Sequence, residues 1–284
     1  MPQGTSPNEK GLSRKHILHA VEESLERLQL KYIDVLFCHL FDSTVELDET
    51  FSTLDNLVRQ GKVLYIGVSN FTASQLQEAV CLCREKGWER ISVLQAQWNL
   101  LCRETEWELI PLCEKQGNNN SRLSRDSPFT HKTRRFCLFE GIAVHVWSPL
   151  ASGWLTGRFT RESKAPEENS RIAGISKLPI EHATEWKKLA NKHTWKIVDT
   201  LLELAKKHNA SPAQVALNWL HGKARQLKTS VIPILGASKI SQLQDNLKAC
   251  DWTLPDEDVK LLDEVSAISL PYPFGFQKWV TSRF

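Results

Sequence analysis

Long apolar runs are missing from this 284-residue sequence, and none of its hydrophobic stretches is long enough to span a bilayer. The opening residues, MPQGTSPNEKG, are polar, so no signal peptide is expected. An excess of one charge is missing too. The 36 Lys and Arg against 33 Asp and Glu leave +3, too little to mark a nucleic-acid or anionic-membrane binder. The seven cysteines are odd in number, scattered and without a CxxC pair; Cys81 and Cys83 stand too close together for half a zinc finger. Free thiols in a reducing compartment are the expectation, and with it a soluble cytoplasmic protein. No GxGxxG follows a strand, and GxxxxGK[ST], HExxH and GxSxG are absent. His16 and His19, three apart, could share a metal, but a charged, solvated helical turn is the expectation, and no metal site is assigned.

What is present is alternation. At 41% hydrophobic residues the chain can bury a sizeable core, and short β-branched runs alternate with amphipathic stretches. Ser13 can cap a first helix carrying Ile17, Val21, Leu25 and Leu28 on one face. A buried strand at 33–38 leads to a helix over 46–60, with Gly61 as its stop. Strand KVLYIGV and helix ASQLQEAVCLCREKG follow, closed by Gly87; strand 91–96 then precedes a helix over 104–116. Strand 142–147 runs into the Gly/Ser/Pro loop SPLASGWLTGRF. After a helix over 192–208, Ser211 and Pro212 open another. Strand 230–235 enters GASKISQLQDN, a last helix starts near Pro255, and the tail 268–284 has little periodicity. Five strands, each followed by a helix, read as a parallel α/β fold. Residues 117–140 far exceed an ordinary α/β connection of ~2–6 residues and read as a disordered surface insertion, with a basic docking segment as the alternative.

The informative positions lie at the carboxyl ends of the strands. The first ends in His39, the second in Ser69 and Asn70, the third near Gln95, the fourth in Trp147, Ser148 and Leu150, and the fifth in Gly236 and Ser238. On one rim of a parallel barrel they would form a concave site of imidazole, amides, hydroxyl and indole, suited to a planar heteroaromatic carboxamide. The glycines, hydroxyls and helix start of the last two loops suit phosphate. Ser238, Lys239, Gln242, Asp245 and Asn246 could hold an adenosine with an extra phosphate. Ordinary roles compete: Gln95 could satisfy a buried backbone group, Asn70 could cap a helix, and Trp147 could be core. Neither a nucleophile nor an acid/base pair is evident.

YIDVLFCHLFD, GKVLYIGVSNF, LQAQWNLL, WSPLASGWLTGRF and GASKISQLQDN occur in the same order in the aldo-keto reductases, and the chain resembles the branch that includes bacterial oxidoreductases and potassium-channel β subunits. The resemblance covers roughly residues 7–265 apart from the insertion. It implies a TIM-type (β/α)8 barrel, here incomplete, that binds NADP(H) and reduces small aldehydes and ketones. It implies that Ser69, Asn70 and Gln95 hold the nicotinamide carboxamide and that Trp147 stacks on the ring. Ser148, Leu150 and Gly153, with Gly236 at the next strand end, would line the phosphates. Ser238 and Lys239 would meet the 2′-phosphate, with Gln242, Asp245 and Asn246 at the adenine end. His39 matches the active-site histidine. The match begins after the family's third strand, downstream of its catalytic aspartate, tyrosine and lysine, so an amino-terminal truncation and impaired catalysis are expected. Tyr32, Tyr65 and Tyr272 match no catalytic position. A nucleotide-binding regulatory subunit like the channel β proteins, or a non-catalytic isoform, is the alternative. Homo-oligomerisation or a channel-type partner would accompany either, with neither nucleic acid nor membrane insertion.

Overall fold

A computed structural model describes residues 7–118, 141–163 and 189–281. Five parallel strands form one open sheet: β1 (Ile33–Cys38), β2 (Val63–Ser69), β3 (Ile91–Gln97), β4 (Ala143–Trp147) and β5 (Val231–Pro233), in the order β1-β2-β3-β4-β5. Each strand lies beside its neighbour in sequence, as the βα alternation requires. Register runs from Ile33↔Val63 to Cys38↔Val68 between the first two strands, and from Ile66↔Ile91 to Ser69↔Gln95 between the next two. Gly67 faces Phe37 across that ladder, and a Cβ there would lie 2.5 Å from the phenyl ring.

The chain divides into two compact units. The first takes in the described parts of Met1–Ala96, Glu108–His145 and Lys228–Ser230. It contains α1 (Arg14–Leu28), α2 (Leu47–Arg59), α3 (Ala73–Lys86) and α4 (Leu109–Asn118). The Ser13 hydroxyl caps α1 by accepting from the His16 amide at 3.4 Å. Thr72 and Gln75 form a reciprocal capping box on α3, and Gly87 ends that helix in the left-handed region. Phe51, Leu54, Leu57, Val63, Ile66, Val68, Leu76 and Leu94 fill the core. Asp55 accepts from Arg59 Nε within α2 at 2.6 Å and from the Glu89 amide at 2.9 Å, tying α2 to the loop that leads into β3.

The second unit takes in the described parts of Gln97–Trp107, Val146–Leu227 and Val231–Phe284. Its helices are α5 (Lys192–Lys207), α6 (Pro212–Arg225), α7 (Ile240–Leu247), α8 (Asp256–Val265) and α9 (Phe274–Thr281). Ser211 caps α6 with Pro212 in its first turn. Trp98, Trp154, Leu155, Ile197, Leu201, Val215, Trp219, Leu254 and Leu262 are fully buried. The buried Arg103 donates to Ser266 Oγ at 2.7 Å and to Glu106 Oε2 at 2.7 Å, pairs with Asp263 at 3.0 Å, and lies 5.0 Å from the Trp219 ring centroid. Buried Asn218 donates to Ala249 O at 2.9 Å and accepts from the Leu254 amide at 3.3 Å, tying α6 to the chain that leads into α8.

Three elements differ from the sequence reading. The helix expected over 104–116 is a 3-10 turn at Glu104–Glu106 followed by α4 from Leu109. Pro111 has no N–H to donate and is tolerated only in a first turn, which fixes the start of α4 close before it. The strand expected at 230–235 is confined to Val231–Pro233, although backbone bonds to β4 continue on either side of it, from the Val144 amide to Ser230 O and from the Ile234 amide to Val146 O, each at 2.8 Å. In the tail, where no element was expected, α9 forms, and Phe274 meets Trp107 with ring centroids 6.0 Å apart. The insertion read at 117–140 lies outside the described residues, apart from the end of α4. Among the described residues no helix is long and apolar enough to cross a membrane.

Candidate functional site

In the first unit, the register places the ends of β1, β2 and β3 side by side, so His39, Ser69, Asn70 and Gln95 gather at one end of the sheet. His39 leaves β1 exposed, while its backbone oxygen accepts from Asn70 Nδ2 at 2.9 Å. The same Nδ2 donates to Ser69 Oγ at 3.0 Å. Asn70 sits at φ 56°, a left-handed conformation that asparagine tolerates better than most residues. It does not cap the next helix, which Thr72 does. Ser69 is buried, and Gln95 is half-buried opposite it.

His39 also lines a cavity of about 1090 Å³ between α1, β1 and the loop that follows β1. His16 lines the same cavity. It is only 6% exposed, and its Nδ1 has no hydrogen-bond partner. The solvated turn expected for His16 and His19 therefore holds for His19, which pairs with Glu23 at 3.2 Å, and fails for His16. His16, Ala20 and Ser24 stand at i, i+4 and i+8, so one stripe of α1 points into the cavity. That spacing, beside the Ile17–Val21–Leu25 face, was the available signal for His16. Asp42 fixes the rim. It accepts from the Leu12 amide at 2.8 Å, and from the Thr44 amide and hydroxyl at 2.9 and 2.6 Å. Burial pushes its carboxyl upward, but these hydrogen bonds outweigh burial and hold it below the usual range. Gly11 makes room for this carboxylate: its φ is +83°, and a Cβ would lie 2.5 Å from Asp42 Oδ2.

In the second unit, Trp147 ends β4 half-buried, with its indole Nε1 enclosed and unpartnered. The loop after it turns through left-handed positions at Ser148, Ala151, Ser152 and Gly153, with φ of 51°, 48°, 56° and 100°. Its frame is internal: the Ala151 amide donates to Ser148 O and the Gly153 amide to Leu150 O, each at 2.9 Å. Buried Asn99, to which the sequence reading gave no role, donates to Ser148 O at 2.9 Å. It lies within LQAQWNLL, and an asparagine beside apolar residues was the only cue. A Cβ on Gly153 or Gly236 would meet nothing within 4 Å, so both backbones stay open to an approaching group.

Beyond β5, the Ser238 amide and hydroxyl both donate to Gln242 Oε1, at 3.0 and 3.1 Å. Lys239 stands exposed at the N-cap of α7 without a side-chain capping bond. This helix start offers a cation, a hydroxyl and the positive end of a helix dipole, a combination that favours an anion. Asp245 is engaged elsewhere, accepting from Ser211 Oγ at 2.6 Å and Gln214 Nε2 at 2.7 Å. It secures α7 against the start of α6. Asn246 is buried and Gln242 exposed.

The profile of the Aldo/keto reductase family matches residues 3–267. The chain belongs to that family. Among its relatives in the aldo/keto reductases are an aldo-keto reductase of Fusarium vanettenii, 33% identical over 92% of this chain and 60% of the relative, and a probable voltage-gated potassium channel subunit beta of Oryza sativa, 30% identical over 93% and 70%. The L-glyceraldehyde 3-phosphate reductase of Escherichia coli is 29% identical over 91% and 65%. The chain thus spans about three fifths of the length of the Fusarium relative. Among solved structures, the thermostable aldo-keto reductase Tm1743, determined with the inhibitor epalrestat, superposes with a TM-score of 0.60 at 28% identity, covering 89% of this chain and 67% of that one. The open parallel α/β sheet is thus a portion of an aldo/keto reductase fold, a TIM-type barrel family.

Proposed function

We propose that the chain is an NADP(H)-binding oxidoreductase of the aldo-keto reductase type that takes small aldehydes or ketones and whose catalysis is impaired. The observation that carries this reading is the set of polar side chains at successive strand ends, in a chain whose family match runs across it. The residues fit the cofactor. The enclosed, unpartnered indole nitrogen of Trp147 marks an aromatic wall short of one polar neighbour, and the open backbones at Gly153 and Gly236 leave approach room for phosphate. The cofactor, when bound, supplies the hydride.

In the first unit Ser69, Asn70 and Gln95 would hold the carboxamide, and His39 would orient a carbonyl by hydrogen bond. In the second unit Trp147 would stack on the ring, and Ser148, Leu150 and Gly153 would line the pyrophosphate. Ser238 and Lys239 would bind the 2′-phosphate, with Gln242 and Asn246 at the adenine end and Asp245 acting through its hold on α7. Reduction also needs a proton for the developing alkoxide, and a positioned acid is worth ~10²–10⁴ in rate. These 284 residues offer no tyrosine at the matching position, which is why the reading includes impairment. The cytoplasm is the compartment this reading assigns.

Titration of NADPH fluorescence with the purified chain is expected to give weak binding. Submicromolar affinity would overturn the impaired site. In an NADPH-consumption assay over a panel of aldehydes, turnover abolished by His39→Ala would show that this chain completes the reaction without the tyrosine. The Oryza sativa relative favours a second reading, a nucleotide-binding regulatory subunit with a channel-type partner. Tight NADP(H) binding with no turnover would select it.

A further inference from the structure

The family match ends at residue 267, and the segment that follows it is rich in rings: Tyr272, Phe274, Phe276, Trp279 and Phe284 fall within 268–284. No acidic residue follows Glu264. The only charged side chains after it are Lys278 and Arg283, the second of them outside the described residues. The near-neutral balance of the whole chain hides this local sign.

α9 is tied to its unit through Phe274, whose ring lies 6.0 Å from that of Trp107 between centroids. The entry to the helix is tight. The Gly275 amide donates to Pro271 O at 3.1 Å, and a Cβ on Gly275 would lie 2.9 Å from Leu270 O. At 3.6 residues per turn, Phe276 and Trp279 fall about 60° apart on the side away from Phe274. Exposure agrees. Phe276 is 59% and Trp279 51% exposed, and their rings stack with centroids 6.0 Å apart. Tyr272, just before the helix, is 86% exposed. The helix thus turns aromatic side chains outward, where an ordinary surface helix carries polar ones.

Area and charge say what covers these rings. An aromatic side chain buries roughly 150–250 Å², so at these exposures the three offer on the order of 400 Å². A specific protein interface takes about 800 Å² from each partner, twice as much. A lipid surface needs no matching shape. It receives Trp, Tyr and Phe at the level of its headgroups, and anionic lipids attract nearby cations. The segment itself brings no carboxylate to oppose that attraction. We propose that Tyr272, Phe276 and Trp279 form a contact through which the chain rests on an anionic phospholipid surface. α9 lies in the headgroup plane, and nothing crosses the bilayer. The proposal stands whether or not a dinucleotide binds elsewhere.

The test sediments the full 284-residue chain with vesicles of phosphatidylcholine alone, and with vesicles of phosphatidylcholine and phosphatidylserine in equal parts. Binding is expected to be about fivefold or more tighter on the mixed vesicles, and to weaken as salt rises. Phe276→Gln combined with Trp279→Gln keeps good helix formers and is expected to weaken that binding by about tenfold or more. Leu28→Gln, which removes an exposed leucine of α1, is expected to leave it unchanged. Far-ultraviolet circular dichroism confirms that each variant is folded. No sedimentation with either vesicle, or binding unaffected by the double variant, would overturn the proposal. So would equal loss with Leu28→Gln, the mark of general adhesion, or equal binding to neutral vesicles. Self-association that the double variant abolishes, without vesicle binding, would overturn it in favour of a second copy as the cover.

Discussion

At the scale of single residues, polar side chains hold the joints. Asn70 spends one amide group on two acceptors, and so fixes the turn after β2 to the main chain of His39. Arg103 is the clearest structural example. It is buried, and its removal leaves Glu106 and Asp263 to Lys223, 3.2 Å from Asp263 and 3.9 Å from Glu106, and to the indole N–H groups of Trp98 and Trp219, which donate to them at 2.7 and 3.0 Å. Arg103→Met is expected to cost about 3 kcal/mol in urea unfolding. A loss under about 1 kcal/mol would show that the network contributes little. Asp258 makes a pH-dependent contribution. Burial alone would raise its carboxyl, but hydrogen bonds from Lys207 at 2.9 Å and His208 at 2.7 Å, with their charge, hold it below the usual range. A folded-state value below the unfolded one stabilises the protein above the unfolded value, and that stability is lost as pH falls through the folded one. Asp258→Asn is therefore expected to lower stability at neutral pH and to flatten the acid side of a stability-versus-pH curve.

At the scale of elements, local chemistry explains most boundaries. Ser13, Ser211 and Gly87 cap or end their helices where their types indicated, because capping depends on neighbours within one turn. Thr72→Ala removes one half of the α3 capping box and is expected to cost about 1 kcal/mol, measurable by thermal or urea unfolding. Elements whose limits depend on distant partners were less legible. β5 spans only Val231–Pro233 while its bonds to β4 reach from Ser230 to Ile234, and α9 has apolar residues with no clear period and meets Trp107 from far along the chain. The candidate site divides in the same way. His39, Ser69, Asn70 and Gln95 were readable because parallel strands align their carboxyl ends, which register confirms for the first unit. Asn99 and the commitment of Asp245 to Ser211 and Gln214 were not readable, because both depend on contacts between segments with no shared pattern.

At the scale of the whole molecule, thiols separate surface from interior. Cys81 and Cys250 are exposed, whereas Cys38, Cys83 and Cys113 are buried, chiefly by desolvation pushed up to about 12. Alkylation followed by mass spectrometry is expected to label Cys81 and Cys250 under native conditions and the other three only on unfolding. Early labelling of Cys38 would mean that β1 opens on its own. The far margin of the sheet has a different consequence. Ile232 on β5 and Ile234 just past it are exposed, with Ile240 following at 77% exposure, and among the described residues no strand lies beyond β5, whose Pro233 is the break in that border. Such a border lets molecules stack one on another with nothing to limit the count, so turbidity should climb with concentration, and a lysine at Ile232 should keep the solution clear.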